Sequence, residues 1–258
     1  MSSISNREKK TTKIIKQEVF FELKDYMKKV IIPNNIKKIK LDIGLSYNAP
    51  VSQNLLKEEN DVFVFGFEPL KESYEGILSG NIVKKSKKHG EPLEKRFLDE
   101  NRIFLLPFAL NDKHEESEVT FFKTLRDVGC SSLFEPKDKR EMKNEKTTVK
   151  TTSLKNFFDL FDWDRFSYIE WIKIDAQGSD LNILKGAENY LKDRVVYVTA
   201  EGHGGGYHNA EKNIEKFITE YMISQNFIKV NHPNTQDPTY LNKKFIHLKD
   251  KIYLDQRS

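Results

Sequence analysis

The sequence predicts an α/β fold: a mainly parallel sheet with helices on both faces, closed at its C-terminal end by an antiparallel pair. Three observations predict it. Short apolar segments alternate with segments of helical periodicity along most of the chain. One apolar run, residues 62–67, is nearly continuous, as in a strand covered on both faces. Polar or acidic residues follow the predicted strands, on the side where such sheets bind ligands.

Taken in order, apolar residues at Ile14, Ile15, Val19, Phe20, Leu23, Tyr26, Met27 and Val30 fit one helical face, ended by Pro33 and Asn34–Asn35. Residues 1–38 are therefore expected to form an N-terminal helical extension, and residues 39–258 one domain. Strand one is expected over residues 39–43, a helix over 54–58, strand two over 62–67 and a helix over 71–78. A lysine-rich loop over 84–96 follows, with Gly90 and Pro92 as breakers. Strand three is expected over residues 103–110. Residues 119–122 and 147–151, rich in β-branched and aromatic side chains, suggest an antiparallel addition around a polar loop at 135–146. Ser153 is a candidate cap for a helix reaching Phe161. Strand four is expected over 168–174, a helix over 180–191, strand five over 195–200 and a helix over 210–224. Residues 227–230 and 245–248 are expected to be the closing pair.

Composition narrows the function. The 258 residues are 38% hydrophobic and 32% charged, with a formal net charge of +4. That is little positive charge for a nucleic-acid binder. Lys84, Lys85, Lys87 and Lys88 read as a solvated face, the alternative being a patch for an anionic substrate or a membrane surface. Cys130 is the only cysteine, so neither an internal disulfide nor a cysteine metal cluster is expected. Residues 1–16 lack the apolar core of a signal peptide, and no apolar run approaches the roughly 20 residues that span a bilayer. A soluble, cytoplasmic protein is expected.

The strand ends hold the chemistry. Strand one runs into Leu41-Asp42-Ile43-Gly44-Leu45-Ser46-Tyr47-Asn48, where a glycine lets backbone approach a ligand closely. Strand two ends at Phe67-Glu68-Pro69, and an acidic residue there can accept both hydroxyls of a ribose. Asp42 and Glu68 are separated as in one βαβ unit, which points to an adenosine-containing cofactor. Strand three ends at Leu110 and Asn111, strand four at Asp175, and strand five runs into Glu201-Gly202-His203-Gly204-Gly205-Gly206.

Several of these segments together resemble one family. Ile172-Lys173-Ile174-Asp175, then Gly178, then Leu184-Lys185-Gly186-Ala187 is similar to the signature of the FkbM methyltransferases. Leu41-Asp42-Ile43-Gly44 and Phe67-Glu68-Pro69 match that family's two cofactor motifs in order, and Ser131-Ser132-Leu133 and Thr151-Thr152-Ser153-Leu154 resemble further landmarks. The resemblance spans about residues 39–249. It implies a Rossmann-like methyltransferase fold, S-adenosyl-L-methionine as cofactor, and methyl transfer to a hydroxyl of a small molecule or glycan. On that basis Asp42, Gly44, Ser46, Asn48, Glu68, Leu110, Asn111 and Asp175 are the expected cofactor residues. Asp175 and His203 are the expected catalytic pair, one as general base and the other positioning the acceptor, with His208 as a substitute. Asn48 stands where the family carries a second glycine, Gln177 where it often has glutamate, and Asp180 where it has glutamate. No obligatory metal is expected, because Gln177 removes a carboxylate that a hard cation would favour.

Other readings fit less well. No Gly-x-Gly-x-x-Gly follows strand one, and no Gly-x-Ser-x-Gly elbow accompanies the glycine run after strand five, which argues against a dehydrogenase and an esterase. Asp237-Pro238-Thr239-Tyr240 resembles the tetrapeptide of amino-group methylation on nucleic acids but falls late in the chain, where a turn is expected. A non-catalytic binding module on the same fold is the remaining alternative.

Overall fold

The computed structural model describes residues 21–80, 90–138, 140, 142–231 and 237–249. Its main sheet contains β1 (Lys38–Ile43), β2 (Val62–Phe67), β3 (Ile103–Leu106), β7 (Ile169–Ile174), β8 (Val195–Ala200), β9 (Phe227–Val230) and β10 (Thr239–Asn242). The spatial order is β3-β2-β1-β7-β8-β10-β9. The first five of these are parallel neighbours, and β10 enters antiparallel between β8 and β9. The order reverses between β1 and β7, so a crevice forms beyond their carboxyl ends. This is the Rossmann-like arrangement that the sequence predicts.

Alternation along β2 explains why both faces are covered. Val62 and Val64 pack with Leu55 and Leu56 of α2 (Pro50–Glu58), Ile77 of α3 (Lys71–Ser79) and Phe97 of α4 (Lys95–Asp99). Phe63, Phe65 and Phe67 point the other way, into a core with Phe157 and Phe158 of α5 (Leu154–Asp159), and Ile218 and Met222 of α8 (Glu215–Ser224). Ser153 caps α5, accepting from the Asn156 amide at 3.2 Å.

A second sheet, order β4-β6-β5, comprises β4 (Ala109–Asn111), β5 (Ser117–Thr124) and β6 (Asn144–Ser153). Residues 103–110 are therefore two strands, not one. Pro107 has no amide to donate to a ladder, and β4 leaves the main sheet to pair with β6 instead. The segment between β5 and β6 then lies across the loop after β8. His208 donates its amide to Glu135 at 2.8 Å, and Lys137 donates its own to Gly206 at 2.9 Å.

Four further expectations are corrected. The closing strand is β10 rather than 245–248, which lies in the 3₁₀ segment Lys243–Leu248. Thr239 and Tyr240, expected in a turn, are thus buried strand residues. The helix expected over 180–191 is split into α6 (Asp180–Lys185) and α7 (Asn189–Arg194), because Glu188 takes a positive φ of 47°. The helix expected over 210–224 starts only at Glu215. Of the N-terminal helix, the described part is α1 (Leu23–Met27), with Leu23 buried in the main core; residues 14–20 lie outside the described residues, as do 84–89 of the lysine-rich loop. Among the described residues no helix is long and apolar enough to cross a membrane.

Candidate functional site

A cavity of about 650 Å³ lies at the carboxyl ends of β1, β2, β7 and β8. Gly44 ends β1 with a φ of 84°, and a Cβ placed there would lie 2.0 Å from the Asp175 carbonyl oxygen. The glycine is therefore required by the neighbouring strand end as much as by any ligand. The left-handed residues of the following loop are Ser46 (φ 56°) and Ala49 (φ 48°), not Asn48, the residue that stands where the resemblance implies a second glycine.

Asp42 and Lys173 are register partners on β1 and β7. Lys173 Nζ stands 3.6 Å from Asp42 Oδ1 and 3.4 Å from Asp175 Oδ2. Burial pulls the Lys173 pKa down, but the two carboxylates outweigh it and hold the ammonium above its ordinary value. Burial pushes Asp42 up, although Ser52 donates both its amide (3.1 Å) and its hydroxyl (2.7 Å) to Oδ2.

Asp175 belongs to a second pair. The side-chain amide of Gln177 donates to Asp175 Oδ1 at 2.7 Å and to Glu201 Oε2 at 2.9 Å. Burial first, then the charge of Asp175 and the hydrogen bond between the two carboxyls, push Glu201 up to about 8. Asp175 is also penalised by burial, yet Lys173 and the hydrogen bonds from Glu201 and Gln177 bring it below its ordinary value. Two carboxyls in one partly dry site thus divide one proton, with Asp175 ionised and Glu201 holding it near neutral pH.

His203 stands outside this arrangement. Its side chain is 75% exposed, it does not line the cavity, and it reaches the site only through Glu201, Nδ1 to Oε1 at 3.1 Å. That contact raises its pKa. The glycine run after it is a 3₁₀ turn, Gly204–Gly206, folded against residues 210–213; a Cβ on Gly204 would meet the Ala210 carbonyl at 2.2 Å.

At the end of β2, burial raises the Glu68 carboxyl to about 7 against the pull of the Leu70 and Ser46 amides. The Leu70 amide donates to Oε1 at 2.9 Å. Of the residues expected to hold a cofactor, Asp42, Gly44, Ser46, Glu68, Leu110 and Asp175 line the cavity. Asn48 and Asn111 do not. Asn48 is buried against Gly90, and Asn111 Oδ1 accepts from the Lys113 amide while its carbonyl faces Gly186 at 2.2 Å from a hypothetical Cβ. Gly186 of the Leu-Lys-Gly-Ala segment thus serves the packing of α6 on β4.

Lys173, Ser179, Glu201 and Asp237 also line the cavity and were not among the expected site residues. Lys173 and Glu201 have a sequence signal, a polar residue in or just after a parallel strand. Asp237 reaches the cavity because β10 runs antiparallel and begins on the ligand side, which no local pattern announces. Three side chains of the wall keep a buried oxygen without a hydrogen-bond partner: Asp42 Oδ1, Ser46 Oγ and Ser179 Oγ. Among the described residues no cluster of three or more His, Cys, Asp or Glu side chains is arranged to hold a metal ion.

This geometry offers a partly polar cavity beside a carboxyl pair, one member of which is raised to about 8. No curated protein matches the chain. The methyltransferase FkbM domain matches residues 46–228, which include Glu68, the Asp175–Glu201 pair and most of the cavity wall. A match over well more than half of the sequence, coinciding with the site, makes the chain a member of the FkbM methyltransferase family.

Proposed function

We propose that the chain is an S-adenosylmethionine-dependent O-methyltransferase, acting in the cytoplasm on a hydroxyl of a small molecule or glycan, most simply a sugar, and not on nucleic acid. The observation behind this reading is the cavity at the reversal in strand order, whose wall brings together Gly44, Ser46, Glu68 and the Asp175–Glu201 carboxyl pair. The residues present fit S-adenosylmethionine: Glu68 for the ribose hydroxyls, Gly44 and Ser46 for the methionine part, and Leu110 with Phe108 as an apolar border for the adenine. The cofactor supplies a methyl group already activated on a sulfonium.

What the chain adds is alignment and a proton acceptor. An alcohol attacks poorly until its proton leaves. The Asp175–Glu201 pair lies in the cavity wall and can take that proton, whereas His203 is behind Glu201 and serves to orient it. Of the two expected candidates for the base, Asp175 and His203, this reading takes Asp175, paired with Glu201.

Calorimetric titration tests the cofactor assignment. Wild type is expected to bind S-adenosylmethionine, and Glu68→Ala to bind it about tenfold or more weakly, the loss of a charge-assisted contact. Equal affinities would remove Glu68 from the ribose site. A wild type that neither binds nor consumes the cofactor would favour a binding module.

A further inference from the structure

The amide of Gln177 has every hydrogen-bonding atom assigned. Its two hydrogens go to Asp175 Oδ1 and Glu201 Oε2, and its oxygen accepts from the Tyr207 hydroxyl at 2.9 Å. Turning the amide over would set its oxygen against the ionised Asp175 carboxylate, so that carboxylate selects the orientation in which the amide oxygen faces the Tyr207 hydroxyl. The backbone is fixed as well. Gln177 has a φ of 50°, and its carbonyl accepts from Ser132 Oγ at 2.7 Å. The single hydroxyl hydrogen of Tyr207 lies between two acceptors, Gln177 Oε1 and the Cys130 carbonyl at 2.8 Å, and Cys130 lines the cavity.

We propose that Tyr207 and Gln177 are positioning residues for proton transfer: the tyrosine hydroxyl holds the glutamine amide toward both carboxyls, and the amide keeps the pair poised to exchange one proton. This rests on the reading of Asp175 and Glu201 as the proton-accepting pair. Amide hydrogens favour the ionised forms of the carboxyls they touch. Without them the pair would keep its proton to higher pH and accept the acceptor's proton less readily. Burial raises the Tyr207 phenol, so its hydroxyl remains a donor throughout the range concerned. The other charged groups around the pair are Lys173 on β7, Asp42 on β1, Asp180 at the start of α6, His203 after β8 and Asp237 before β10. None of these touches the Gln177 amide through a hydrogen bond given above, so the variants below leave them in place.

The test is an isotope-edited infrared titration of the glutamate and aspartate carboxyls in cofactor-free protein, repeated on Gln177→Met and Tyr207→Phe, with the pH dependence of turnover measured beside it. The wild-type protonated-carboxyl band is expected to titrate near 8. In Gln177→Met the midpoint is expected to move up by about one pH unit, and in Tyr207→Phe in the same direction by less. A purely structural role would lower the melting temperature and leave the midpoint in place. Unchanged midpoints in both variants, with the wild-type band present, overturn the proposal alone. A wild-type turnover that does not follow the band overturns the proton-acceptor reading on which it rests.

Discussion

Lys173 and Asp42 face each other across the reversal in strand order, Nζ to Oδ1 at 3.6 Å, with Asp175 3.4 Å from the same ammonium. The lysine helps keep Asp175 ionised against the desolvation that opposes it. Burial first, and then the charge of Asp175, raise the second carboxyl of the pair, Glu201. The Lys173 ammonium favours the ionised forms of Asp42 and Asp175, the two carboxyls beside it.

Removing that cation should be costly. Lys173→Met leaves Asp42 and Asp175 near each other without their cation, and breaking a buried ion pair on one side typically costs about 3–5 kcal/mol. The deficit should shrink at low pH, where the carboxyls are neutral, and grow as pH rises. Denaturant unfolding of both proteins at pH 5 and pH 8 measures it. A constant deficit would show that the lysine acts through packing alone.

Glu201 and His203 should separate cleanly. Glu201→Gln removes one member of the carboxyl pair and should lower turnover by about 10²–10⁴-fold with cofactor affinity largely kept. His203→Ala, at an exposed side chain outside the cavity, should cost less than about tenfold. Because the pair accepts a proton only after Glu201 loses its own, the wild-type rate should rise with pH and level off above about 8. A rate independent of pH from 6 to 9, or a larger loss in His203→Ala than in Glu201→Gln, would return the base to the histidine.

Glu68 carries a stability cost. Its pKa is raised from 4.5 to about 7, so the folded, ligand-free protein binds more protons than the unfolded chain between those values. The stabilisation is complete below 4.5 and is lost as pH rises through 7. Glu68→Gln, neutral in both states, should therefore be more stable than wild type at pH 8 by about 3 kcal/mol, and the difference should vanish near pH 4. Thermal unfolding across that range checks it; a variant less stable than wild type at pH 8 would mean that the ionised carboxylate is well satisfied in the empty cavity.

Much of this site is legible in the sequence because parallel strands end on the ligand side, so Asp42, Glu68, Asp175 and Glu201 each follow an apolar run. The βαβ order and the strands that carry these residues follow from the same periodicity. Residues placed by tertiary contacts are harder. Asn48 is expected at the cofactor, yet it does not line the cavity, and the left-handed residues of its loop are Ser46 and Ala49. Asn111 sits at a strand end but in the second sheet, because Pro107 breaks the run. His203 looks catalytic by residue type, but its glycine loop folds onto residues 210–213 and leaves the imidazole at the surface. Tyr207 has no local signal; only the approach of the β5–β6 segment to the loop after β8 brings it to Gln177.

The most direct test of the account is transfer of a labelled methyl group from S-adenosylmethionine by the purified protein to a panel of sugars, nucleotide-sugars, RNA and DNA, with the product's point of attachment read by mass spectrometry. The account predicts label on a hydroxyl oxygen of a sugar-bearing acceptor, lost in Glu201→Gln. Label found in nucleic acid alone would contradict it.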